Sequence, residues 1–60
     1  MKVFSNKEIR VYATNDSPQH ESVMLMLRSL DERGVPVRKR VYQDVLAYAK
    51  CVGCKIEAHK

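Results

Sequence analysis

The sequence predicts one compact α/β domain in which two parallel strands flank a helix and a second helix follows. Three features predict it: strand-like alternation over residues 8–14, an amphipathic stretch over residues 18–33, and an extended segment over residues 35–42. The chain has 60 residues, 45% hydrophobic and 30% charged, which is typical of a single globular domain. A chain of this size buries only about 60% of the surface that its unfolded form exposes, so we expect a thin core.

The first strand is predicted over residues 8–14, where apolar and polar side chains alternate with the period that places them on opposite faces. One face carries Ile9, Val11 and Ala13, and the other carries Arg10, Tyr12 and Thr14. Residues 2–4 are expected either to lengthen this strand or to pair with it.

The first helix follows a turn at residues 15–18. Ser17 is expected to cap it with its hydroxyl, and Pro18 suits the first helical position, where a missing N–H is not needed. The helix is predicted to run to about Arg33 and to end at Gly34, which adopts a left-handed conformation easily. Its apolar face consists of Val23, Leu27 and Leu30, with Met26 beside them.

The rest of the chain is predicted to supply a second strand, a second helix and a short last strand. Residues 35–42 contain Pro36, which is tolerated at the start of a strand, and a close strand–helix–strand succession favours a parallel pair with a right-handed crossover. The second helix is predicted over residues 43–52, ending at Gly53, and the last strand over residues 55–58. The second helix directs Val45, Leu46 and Ala49 inward.

A helix-turn-helix is the competing interpretation, with helices over residues 21–33 and 38–50 and a turn over residues 34–37. The start of its second helix would carry Arg38, Lys39 and Arg40. We rank it second because positive side chains at a helix N-terminus oppose the helix dipole, and because Val35-Pro36-Val37 favours extended chain.

Residues 9–42 contain an ordered set of short motifs. In chain order they are Ile9-Arg10-Val11-Tyr12-Ala13-Thr14, Ser17-Pro18-Gln19-His20 and Leu30-Asp31-Glu32-Arg33-Gly34-Val35-Pro36-Val37. This order of motifs resembles the first half of a glutaredoxin-type protein. That half has a strand containing Val-Tyr, a loop, a helix ending in Leu-Asp-x-x-Gly and a strand that opens with an apolar–Pro pair. The resemblance implies a truncated thioredoxin-like fold, since the chain ends before that family's cis-proline loop.

The same resemblance implies that the family's activity is missing. Ser17 and His20 stand where the family has the two cysteines of its Cys-Pro-x-Cys motif, and neither side chain can form the mixed disulfide of thiol exchange. Ser17 and His20 could alternatively act as nucleophile and base. No carboxylate is evidently placed to orient the imidazole, so we do not expect catalysis there.

Cys51 and Cys54 form a C-x-x-C motif, which suits either a redox pair or half of a zinc site. The only histidines are His20 and His59, so a four-ligand site has no support, and we expect no metal and no cofactor. The motif sits at a predicted helix C-terminus, where the dipole disfavours a thiolate. The alternative is that Cys51 is a small core residue and Cys54 is incidental.

The strongest functional signal is a basic face. The chain has a net charge of +4 and a pI near 9.3, which favours acidic partners. In a parallel pair, alternation would gather arginines and tyrosines on one sheet surface, with Lys39 beside them, unless the second helix covers it. The predicted partner-binding residues are Arg10, Tyr12, Arg38, Lys39, Arg40 and Tyr42.

We therefore expect a non-catalytic binding module that docks on a macromolecule, with an acidic protein surface slightly favoured over nucleic acid. The alternatives are a thiol–disulfide protein using Cys51 and Cys54 and a helix-turn-helix DNA-binding protein. A cytoplasmic location is expected, because there is no signal peptide, no membrane-spanning stretch and no disulfide framework. A homodimer would compensate for the thin core and an uncovered sheet edge.

Overall fold

A computed structural model describes residues 3–59 as a three-stranded sheet packed against two helices. The elements, in chain order, are β1 Val3–Ser5, β2 Arg10–Ala13, α1 His20–Glu32, α2 Arg40–Cys51 and β3 Ile56–His59. The sheet order is β1-β2-β3, and both pairings are antiparallel. Helix α1 packs on β1 and α2 packs on β3, and the two helices contact each other.

The register of the sheet separates its two faces, because directly paired residues point to the same side. The inner face carries Phe4 and Val11, which are paired and buried under the helices. Towards solvent, Val3 and Glu57 flank Tyr12, and Ser5 and His59 flank Arg10.

The core lies between the sheet and the helices. Side chains from three of the five elements and from the segment after α2 meet there with no exposed surface, namely Val11, Val23, Leu27, Tyr42, Ala49 and Cys54. Of the predicted apolar strand face, Ile9 and Val11 are buried, and Ala13 is partly buried and packs against the core.

The predicted parallel strand pair is wrong. Residues 35–39 form a loop and α2 begins at Arg40, so the predicted second strand, residues 35–42, is absent and the truncated thioredoxin-like strand–helix–strand unit with it. Both edges of β2 are already occupied, by β1 on one side and β3 on the other, which leaves no position for a parallel neighbour. The helices instead follow the order of the competing interpretation, at residues 20–32 and 40–51.

The spacing of apolar residues explains why this segment is helical. Tyr42, Val45, Leu46 and Ala49 recur at intervals of three, four and seven residues, and all contribute to the core. This pattern outweighs the short apolar alternation over residues 35–42, of which Val37 alone is buried before α2 begins.

Both predicted helix ends are confirmed. Gly34 has φ 75° and Gly53 has φ 82°, so each glycine occupies the left-handed region. Beyond Gly34 the N–H of Val35 donates to the Leu30 carbonyl at 3.0 Å, and beyond Gly53 the N–H of Cys54 donates to the Ala49 carbonyl at 2.9 Å. These bonds satisfy carbonyl groups that the helix itself leaves open.

The first helix starts later than predicted. Ser17 and Pro18 precede α1, and the Ser17 hydroxyl accepts from the N–H of Gln19 at 3.2 Å without capping the first helical turn. No helix within residues 3–59 is long and apolar enough to cross a membrane.

Candidate functional site

Two connecting segments meet at one end of the molecule. The β1–β2 turn, residues 6–9, contacts the α1–α2 loop, residues 33–39, and the helix end that leads into it. The Asn6 side-chain amide donates to Asp31 at 3.0 Å, and the Val37 N–H donates to Glu8 at 3.3 Å. These bonds bring sequence positions near 8 and near 37 together.

Asn6 also stabilises the conformation of the β1–β2 turn in which it lies. Its side-chain oxygen accepts from the N–H of Glu8 at 2.8 Å and from that of Ile9 at 2.9 Å. An asparagine that holds the backbone two residues ahead is the mechanism of an Asx turn. The turn therefore fixes where β2 begins, and with it the position of Arg10.

We call four exposed basic residues in or next to these segments the basic end: Arg10, Arg38, Lys39 and Arg40. Lys7 and Arg33 are further exposed basic residues of the same segments. Arg10 is the first residue of β2, and the other three span the end of the loop and the start of α2. Among residues 3–59, no hydrogen bond or ion pair engages these four side chains. The nearby carboxylates of Glu8 and Asp31 instead accept from amide groups.

The start of α2 adds to the positive potential. Lys39 is the N-cap residue, no side chain caps the helix there, and no acidic residue lies in the first turn. The dipole of a helix places partial positive charge at its N-terminus, so basic side chains there are unfavourable by a few tenths of a kcal/mol or more each. The arrangement does not stabilise the isolated domain, and binding of an anionic partner would reduce this unfavourable electrostatic energy.

The outward sheet face borders the basic end. Tyr12 and His59 stack with ring centroids 5.4 Å apart and planes inclined by 27°. The imidazole of His59 lies 3.5 Å from the carboxylate of Glu57. One face of the tyrosine ring is thus occupied, and a negative charge lies close to it.

Tyr42 does not join this surface, although the sequence predicted it there. It is fully buried, and its hydroxyl donates to the Leu27 carbonyl at 3.3 Å. Burial, and then the negative charges of Asp31 and Glu8, raise the pKa of Tyr42, so the phenol remains a neutral donor. The predicted single face splits into Arg10 and Tyr12 on the sheet, the cluster at the start of α2, and Tyr42 in the core.

The two cysteines point to different environments. Cys51 is exposed at the end of α2, whereas Cys54 is buried in the core, and both are free thiols. The sequence had placed Cys51, not Cys54, in the core. No group of three or more histidine, cysteine, aspartate or glutamate side chains in the described part of the chain could hold a metal ion.

Ser17 and His20 are close but not arranged as nucleophile and base. The His20 Nδ1 contacts the backbone carbonyl oxygen of Ser17 and not its hydroxyl. The Ser17 hydroxyl meanwhile accepts from the Gln19 N–H.

Two residues near the basic end were missed by the sequence analysis. His59 pairs with Arg10 across β2 and β3, and Lys7 is exposed in the β1–β2 turn. The signal for Lys7 was local: Asn6 followed by two charged residues between apolar segments is typical of a hairpin turn. No local signal identified His59, because its position depends on a pairing between distant parts of the chain.

No protein-family model, curated protein or solved structure significantly matches this chain.

Proposed function

We propose that this chain is a non-catalytic docking module that binds an acidic surface of another protein through the basic end. The observation that carries the proposal is the exposure of Arg38, Lys39 and Arg40 at the uncapped start of α2, together with exposed Arg10 just after the turn that contacts this loop. None of the four has a carboxylate partner among residues 3–59. One hydrogen bond from the turn to Asp31 of α1 and one from the loop to Glu8 hold together the segments that carry this surface.

The energetics support an intermolecular role. An exposed arginine contributes little to folding, and three basic residues at an uncapped helix start oppose the dipole. Carboxylates of a partner would be attracted by both the basic side chains and the partial positive charge at the N-terminus of α2. Such complementarity chiefly raises the association rate and selects the partner.

The sheet face favours a protein partner over single-stranded nucleic acid. Base stacking needs open aromatic platforms and a positive surrounding. Tyr12 already stacks on His59, Glu57 adds a negative charge beside them, and Tyr42 lies in the core. A single, partly covered ring is a poor platform for consecutive bases.

DNA binding through α2 is the second candidate, since the chain does contain two successive helices with basic residues at the start of the second. The connection between them weakens this candidate. A helix-turn-helix uses a turn of about three or four residues, whereas here residues 33–39 separate α1 from α2.

The proposed setting is the cytoplasm, where Cys51 and Cys54 would remain reduced. In this proposal neither thiol takes part in docking.

The test compares two double variants that remove equal charge. Arg38→Gln with Arg40→Gln alters the basic end, and Lys50→Gln with Lys55→Gln is the control at the opposite end of α2. Each immobilised protein is used to capture partners from a lysate, with and without nuclease. We expect acidic proteins to be captured by the wild type and the control, to be lost with the arginine variant, and to be unaffected by nuclease.

Other outcomes would overturn the proposal in distinct ways. Capture that nuclease abolishes would indicate a nucleic-acid partner. Equal loss from both double variants would show that net charge alone drives binding, and full retention by the arginine variant would exclude the basic end.

A further inference from the structure

A surface groove lies between the edge strand β1 and helix α1. It has a volume of about 340 Å³ and is lined by Val3, Phe4, Glu21, Met24, Leu25 and Arg28. Leu25 is 63% exposed and Val3 is 51% exposed, the two largest values among the exposed large hydrophobic residues of the described chain. Apolar side chains of this size are thus concentrated at one open edge of the sheet.

The two edges of the sheet differ in their protection. Exposed edge strands carry unpaired backbone groups and are usually guarded by charged side chains. β3, at one edge, carries Glu57 and His59. β1, at the other edge, reads Val-Phe-Ser and carries no charge over Val3–Ser5. β1 is therefore the edge at which another strand can pair.

The exposed stripe of α1 beside this edge is complementary to itself. Glu21 lies four residues before Leu25, and Arg28 lies three residues after it, so all three share one side of the helix. In a two-fold arrangement with antiparallel helices, the leucines face each other, and each glutamate faces the arginine of the other copy. Self-complementarity of this kind is the requirement for an isologous dimer.

We infer that a second copy of this chain occupies the groove, with β1 pairing antiparallel to its counterpart and α1 packing antiparallel to its counterpart about a two-fold axis near Leu25. Because α1 lies over β1, one axis perpendicular to the sheet brings both pairs of elements together. The product is a six-stranded antiparallel sheet with the helices on one face. None of the groove residues belongs to the basic end, so the dimer does not depend on the proposed function.

The interface is small. It consists of a three-residue strand and one face of a 13-residue helix, roughly 20 Å long. Stable dimers bury about 600 Å² or more per partner, about one seventh of the 4227 Å² surface of this chain. We therefore expect association that varies with concentration over roughly 10 µM to 1 mM.

Sedimentation equilibrium of the wild-type protein over that range should show a monomer–dimer equilibrium. Leu25→Glu should weaken the dimer at least tenfold, because it places two carboxylates against each other at the axis. Tyr48→Glu alters an exposed apolar residue of α2 and is the matched control, with no change expected. Circular dichroism checks that both variants remain folded.

Charge exchange tests the orientation. Glu21→Arg alone and Arg28→Glu alone should each weaken self-association, because each places like charges opposite one another. An equimolar mixture of the two single variants should form a heterodimer, and the double variant in one chain should regain the homodimer. These changes keep Leu25, so they remain informative even if Leu25→Glu unfolds the chain.

A wild-type protein that stays monomeric throughout the range would overturn the inference and leave the groove to a different chain or a small apolar ligand. Equal weakening by Leu25→Glu and Tyr48→Glu would also overturn it. Failure of the charge exchange to restore association would reject the antiparallel arrangement that we infer.

Discussion

The two faces of the sheet are made by the same strands and differ in almost every physical property. On β2, Val11 points inward and has no exposed surface, while its neighbours Arg10 and Tyr12 point outward. The inner face makes a dry contact with α1 and α2, and the outer face carries charges and one aromatic stack. The comparison shows that alternation lets one short strand support the core and a binding surface at the same time.

Leu27→Ala, in the core between the inner sheet face and the helices, should produce the largest loss of unfolding free energy. Leu27 is fully buried on α1 and borders the Tyr42 hydroxyl bond, so the change leaves a cavity and should cost about 2–5 kcal/mol of unfolding free energy. Urea denaturation measures this. In a domain of this size such a loss approaches the total stability. A cost below about 1 kcal/mol would mean that the core repacks freely.

Val11→Ala and Tyr12→Ala compare the two faces at adjacent positions. Val11→Ala should cost about 2 kcal/mol, since it removes buried methyl groups beneath both helices. Tyr12→Ala should cost about half as much, although the side chain removed is far larger, because it loses mainly the stack with His59. Matched denaturation curves measure the ratio, and a larger loss at Tyr12 would contradict the assignment of the faces.

Tyr42→Phe should cost about 1 kcal/mol at neutral pH, because the Leu27 carbonyl loses a buried hydrogen bond. The pKa of Tyr42 is raised in the folded state, so the unfolded chain releases that proton first. The stability linked to Tyr42 is complete below pH of about 10 and is lost as pH rises through the folded pKa.

The wild type should therefore lose stability more steeply than Tyr42→Phe as the pH rises above about 10, the ordinary tyrosine pKa. Urea unfolding at several pH values measures both slopes. Parallel slopes would show that other groups account for the alkaline loss.

His59→Ala should have the smallest effect, on the order of 0.5 kcal/mol, because His59 is exposed and contributes one aromatic stack and one contact with the Glu57 carboxylate. Thermal unfolding of this variant beside Glu57→Gln separates the stack from the Glu57 contact. A loss comparable to that of Val11→Ala would mean that the outer face also stabilises the fold.

Local pattern determined much of this protein by itself. The two faces of β2, the helix over most of residues 18–33 and the glycines that end both helices follow from periodicity and backbone preference. Arg38, Lys39 and Arg40 were likewise recognisable as an exposed basic group. These features depend on residues within a few positions of one another, and a sequence displays such relationships directly.

Only the tertiary structure decided which strands pair and what residues 35–42 become. The apolar alternation of that segment suits an extended strand, but β1 and β3 occupy both sides of β2, and Tyr42 gains a buried position only in a helix. The contact between the turn before Arg10 and the loop that carries Arg38 likewise depends on the bond between Glu8 and Val37, 29 positions apart. Pairing between distant segments has no local periodicity, because the free energy that selects it comes from burial of the whole core.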